Sequence, residues 1–197
     1  MTHAHSHPLY RRVRFHAFLT LVFAWCAAAS ASLSATVLLP VDFSTVVIGS
    51  GIIVHGRVVD VRPVLAGPRR TIESLVTMTV LDAIKGDPGS TITFRMPGGQ
   101  IGRYRRVVVG APEFAEGDEA VVFLRGSAPS VPTPVGLSQG VYRVMRDRDA
   151  RAFVTPAPVT LSRGAAPQRI VRGDPDRKPM PVDAFTREVE GILERGR

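Results

Sequence analysis

Hydrophobic residues recur along this chain with two different periods, and each period predicts a kind of element. Between Thr71 and Met96 the period is two. Ile72, Val76, Met78 and Val80 fall on one face, with Glu73, Thr77 and Thr79 on the other; Ile92, Phe94 and Met96 then alternate with Thr91, Thr93 and Arg95. Successive side chains of an extended strand point to opposite sides, so both runs predict half-buried strands. Upstream, IIVHGRVVDVRPV from Ile52 is rich in β-branched residues, with Gly56 placed where a bulge would re-aim the strand. Downstream, RYRRVVVG (103–110), the wholly apolar AVVFL (120–124), VYRVMR and RAFVT supply further strands. Turn residues separate them: Pro68 with Arg69-Arg70, Gly86-Asp87-Pro88-Gly89, Pro97-Gly98-Gly99, Glu116-Gly117-Asp118, a Pro/Ser-rich loop over 126–134, and the hairpin turn Asp147-Arg148-Asp149-Ala150.

Elsewhere the pattern turns helical. Asp42 stands before a short apolar patch that ends at Gly49-Ser50-Gly51, which predicts a capped helical turn. Val182, Phe185, Val189 and Ile192 recur at helical spacing and predict an amphipathic helix over 181–195, packed on the β-domain. Between them, over 156–180, Pro156, Pro158, Pro167, Pro175 and Pro179 break any period and indicate an extended connection. There is no internal repeat. The fold class is therefore mainly β: a small OB-like barrel or β-sandwich over 40–155, with a short N-terminal helical turn and a C-terminal amphipathic helix.

The N-terminus has another character. Residues 1–16 are polar and carry Arg11, Arg12 and Arg14 without an acid, and an uncharged apolar run follows from Ala17 to Ala29. This is the order of a secretory signal. As a helix the run would span roughly 20 Å, short of the roughly 30 Å of a bilayer core. Ala29-Ser30-Ala31 offers a small-x-small cleavage site, so residues 1–31 are read as a signal peptide and the mature chain as secreted or periplasmic. Phe15 falls one place late for a twin-arginine signal, and Trp25 before Cys26 is too bulky for a lipoprotein site. Cleavage would remove the only cysteine, the only tryptophan and four of the five histidines. The mature protein would then rely on packing without a disulfide, and no stable membrane span would remain.

The full chain has a net charge of +8, and the leader's three arginines account for part of it. The remaining cations, arginines apart from Lys85 and Lys178, are scattered along the sequence. A nucleic-acid surface would need a basic stripe interleaved with aromatics. Only Arg103-Tyr104-Arg105-Arg106 approaches one, so no nucleic-acid partner is expected.

The blocks IIVHGRVVDV, TMTVLDAIKGDP, ITFRMPGG, EFAEGDEAVVFL and GLSQGVYRV resemble a group of small exported bacterial proteins without an assigned activity, over about residues 40–155. The first, second and fourth blocks are also similar to the OB-type barrel of netrin-like domains and tissue inhibitors of metalloproteinases. There a V-x-G-x-V strand precedes a long strand ending in lKG and then a G-[DE]-x-x-[VL]-x-[FL] strand. What these resemblances imply is a fold more than a function. The inhibitors chelate a protease zinc through an N-terminal cysteine, which this mature chain lacks, so that mechanism does not carry over.

Candidate chemistry is sparse. Gly136-Leu137-Ser138-Gln139-Gly140 matches the G-x-S-x-G nucleophile elbow in letters, but the elbow needs a strand before the serine, a helix after it and a later histidine. A proline-rich loop precedes this serine, a β-like run follows, and no histidine comes after His55. Two glycines at a strand lead-in explain the match more simply. His55 and Asp60 are five residues apart on one strand and so on opposite faces. Asp147 and Asp149 suit a hairpin turn. Glu113, Glu116, Asp118 and Glu119 form a denser acidic loop, read as an ordinary turn with weak calcium binding as the alternative. No catalytic, cofactor-binding or metal-binding residue is assigned, and no cofactor is expected. The expected function is non-enzymatic binding of a protein or polymer partner in the envelope or medium. The alternatives are a small serine hydrolase using Ser138, and an accessory or inhibitory module for an exported protease.

Overall fold

The computed structural model describes residues 41–126, 129–156 and 178–196; the expected signal peptide and nearly all of the proline-rich connection lie outside them. In chain order the strands are β1 (Ile52–Ala66), β2 (Thr71–Lys85), β3 (Thr91–Pro97), β4 (Gly99–Ile101), β5 (Tyr104–Arg106), β6 (Glu119–Arg125), β7 (Thr133–Pro134), β8 (Val141–Arg146), β9 (Ala152–Pro156) and β10 (Met180–Pro181). Helix α1 (Phe43–Gly49) precedes them, α2 (Val182–Arg195) follows, and a 3-10 turn (Leu137–Gly140) leads into β8. The fold is mainly β, as the alternation indicated.

Seven strands form one antiparallel path, β10-β9-β8-β6-β1-β2-β3, and β7 adds to it beside β6. β4 and β5 make a separate small hairpin. The long β1–β2 hairpin is the spine. Its register slips between His55 and Gly56, where the glycine suggested a bulge, and twice more, at Ile53/Val54 and Val58/Asp60. The near half of β1, up to Arg57, pairs with β6; the far half pairs with β2 alone.

The period-two faces bury two cores on opposite sides of the sheet. Ile53 of β1 and Val121 and Phe123 of β6 pack under the helices, with Phe43, Val46 and Val47 of α1 and Phe185, Val189 and Ile192 of α2. Phe43, Phe123, Tyr142 and Phe185 form a four-ring cluster, every pair having centroids 4.9–6.1 Å apart. The intervening residues Val54, Val58, Ala120, Val122 and Leu124 face the other way and join Val76, Met78, Ile92, Phe94 and Met96. The AVVFL run is unbroken because both its faces are covered.

The second core unites β3 with β6, although β2 and β1 lie between them in the sheet, so the sheet curls. Arg95 N donates to Pro132 O at 2.8 Å just before β7, which itself pairs with β6. That is one bond rather than a ladder. The expected barrel or sandwich is thus realised as a curled sheet whose described ladders do not close.

The ends follow the capping logic. Asp42 is the N-cap of α1, its carboxylate accepting from Ser44 N at 3.0 Å, and Ser50 Oγ closes the turn on Val46 O at 2.6 Å. The strand expected over 103–110 needs correction, because only Tyr104–Arg106 is extended. Its partner β4 has three residues, and Val107 and Val109 are exposed. With no further ladder to join, the chain turns after Arg106, Ala111 N bonds back to Val108 O, and both residues pack on the second core.

Candidate functional site

The serine of the GLSQG motif does not stand on an elbow. Ser138 is buried within the 3-10 turn, its backbone N–H bound to Gly110 O, and strand β8 follows where the elbow requires a helix. The flanking glycines have separate structural reasons. Gly136 has φ +59, in the left-handed region that favours glycine. Gly140 is held by close approach instead, since a Cβ there would lie 2.5 Å from Val135 O and 3.0 Å from Phe123 O. His55, the one histidine among the described residues, points its Nε2 at Glu119 Oε1, 2.9 Å away.

That carboxylate is the centre of the densest polar cluster. Glu119 is buried at the start of β6, with β1 on one side and β8 on the other. Arg57 Nη2 donates to its Oε2 at 3.0 Å, and Arg146 Nη2 to both oxygens at 3.2 and 3.1 Å. Burial alone would raise the carboxyl pKa. The bonds from Arg57, Arg146 and His55 outweigh it and hold the group below its ordinary value. None of these partners could be read from the sequence, since each depends on which strands neighbour β6.

The acidic loop therefore disperses. Glu113 pairs with Arg105 at 2.7 Å, Asp118 binds Arg143 and accepts from Ala115 N, and Glu119 turns inward. Asp147 and Asp149 serve the β8–β9 hairpin: Asp147 Oδ1 accepts from Asp149 N and Arg151 N, and Arg151 bridges both carboxylates. Asp60 is exposed and sits across from Thr77. Among the described residues no three His, Cys, Asp or Glu side chains converge as a metal site.

One concave feature among the described residues lies where the curled sheet opens, beneath the β4–β5 hairpin. It is a cleft of about 400 Å³, within the usual range for ligand pockets. Val61 and Pro63 of β1, Met96 of β3, and Val108 and Phe114 from the loop after β5 supply apolar wall. Phe114 is held between the second core and a cation, its ring 5.4 Å from that of buried Phe94 and 4.7 Å from the Arg143 guanidinium. Ser74 Oγ donates to Gly98 O at 2.9 Å and ties the hairpin to β2. Arg105 and Arg106 stand at the rim, Arg106 Nη1 donating to Ile72 O at 3.2 Å.

The chain matches no family model, curated protein or solved structure.

Its site must be judged on its own chemistry. The buried carboxylate is saturated by cations, while the cleft offers apolar wall with guanidinium groups beside it. Sequence reading missed the cleft because its wall comes from four separated stretches. The signal was present in part: the weak basic cluster at 103–106 supplies two of its lining residues, Arg105 and Arg106. Among the described residues no helix is long and apolar enough to cross a membrane.

Proposed function

We propose that this chain is an exported, non-catalytic binding protein, and that the cleft under the β4–β5 hairpin is where it holds a protein or polymer partner of the cell envelope. The observation that supports this reading is the division of labour among side chains. The acids and the histidine that might do chemistry are engaged in ion pairs and turns that hold strands together. The cleft instead combines apolar wall with rim cations, the composition of a recognition site. Val61→Asp places a charge on that wall at a half-buried position that also packs on the second core, so folding of the variant is checked by its thermal melt. Affinity capture from the native envelope fraction should retain a discrete component with the wild type and lose it with Val61→Asp. Covalent labelling by a fluorophosphonate probe that Ser138→Ala abolishes would overturn the reading in favour of a hydrolase.

A further inference from the structure

We infer that the cleft recognises an acidic, apolar peptide segment, an apolar side chain seated between Val61, Met96 and Phe114 with a neighbouring carboxylate taken by Arg105 and Arg106. The inference rests on the preceding reading of the cleft and adds the chemistry of its partner.

Charge decides the sign. The charged residues lining the cleft are Arg105, Arg106 and Glu113, a positive balance, and Arg103 adds to it one residue before β5. Arg105 is held by Glu113, but both side chains are more than half exposed (55 and 61%). Such a pair is weak and screened by solvent, so an incoming carboxylate can replace Glu113 at little cost. Arg106 spends one Nη1 bond on Ile72 O, and a guanidinium carries five N–H donors in a planar fork suited to a carboxylate. Without the leader's three arginines the chain still carries a net charge of about +5, which would also steer an acidic partner inward.

Other occupants fit less well. Single-stranded nucleic acid binds on several aromatic platforms. Here the cleft's lining holds one aromatic ring, Phe114, and the exposed Tyr104 beside Arg105 in the chain already has the Arg103 guanidinium over its ring at 5.1 Å. A second copy of this basic chain would bring like charge to the cleft. A basic peptide would meet the same repulsion.

The test uses the purified full chain and fluorescence anisotropy with four labelled pentapeptides, DLDFD, NLNFN, DSDSD and KLKFK. DLDFD should bind about tenfold or more tighter than the other three. Arg105→Glu, at an exposed residue, should remove that advantage with a thermal melt close to wild type; Val61→Asp should remove it too, with some loss of stability because Val61 also packs on the second core. Raising salt to about 0.5 M should shrink it, since the rim is exposed. Equal binding of DLDFD and NLNFN would overturn the acidic specificity but leave the cleft as a binding site. Preference for KLKFK, tighter binding of a single-stranded oligothymidine, or self-association in sedimentation at the same concentrations would overturn the inference. So would no binding of any peptide; the envelope capture then decides independently whether the cleft binds a partner at all.

Discussion

At the scale of single residues, Glu119 shows how a side chain legible as one thing becomes another when strands assemble. In the sequence it is the last acid of a turn, and Arg57 and Arg146 are 62 and 27 residues away. The β1–β6 register sets Arg57 directly across from Glu119, and β8 brings Arg146 to its other side. Because the folded pKa is depressed, the folded state binds fewer protons than the unfolded chain. Its contribution to stability is complete above the ordinary glutamate value of 4.5 and is lost as pH falls through the lower folded value. Glu119→Gln keeps the shape and removes the charge. Losing a buried partner of charged donors costs up to about 3–5 kcal/mol. Arg57 and Arg146 are half exposed, so their solvation after the change reduces this to about 1–3 kcal/mol. Urea melts should show that loss at pH 7 and a shrinking difference as the pH is lowered below the ordinary glutamate range. A difference of unchanged size at acid pH would mean that the ionised carboxylate is not what holds these strands.

At the scale of elements, the strands with clear alternation were legible and the very short ones were not. β2 and β3 follow their period-two pattern, and Phe94, Val76 and Met78 are fully buried as that phase requires. β4, β7 and β10 have two or three residues each, too few for a period, and they exist through ladders made elsewhere. The stretch after β5 failed in the opposite way, since Val107, Val108 and Val109 have a strand's composition but join no ladder. The phase of Phe94 and Phe123 was also readable, but not that they serve different cores. Each substitution to alanine should cost about 3–5 kcal/mol, a large share of a typical domain's roughly 5–15 kcal/mol. A double-mutant cycle separates the cores. Phe123 and Phe185 stack edge to face at 6.1 Å, so Phe123→Ala and Phe185→Ala should couple by about 0.5–1.5 kcal/mol. Phe94→Ala lies in the other core and should add to Phe185→Ala within about 0.5 kcal/mol. Strong coupling of Phe94 to Phe185 in denaturant melts would mean that the two cores act as one.

At the scale of the whole molecule, the sequence could indicate a β-rich domain between two helices but not the order of its strands. Alternation says which side of a strand is buried and is silent about its neighbour. The cleft depends on that order, because β1, β2 and β3 line it only when the sheet curls. Export belongs to this scale too. A leader with three arginines, an apolar run too short for a span and Ala29-Ser30-Ala31 behind it should be removed during secretion. The first helix cap, Asp42, lies beyond the expected cut. Intact-mass analysis of protein recovered from the envelope or medium should find a chain beginning at Ser32. Its emission should come from Tyr104 and Tyr142, because Trp25 leaves with the leader. A full-length species that retains tryptophan emission and sediments with membranes would show that the N-terminal run stays attached as an anchor.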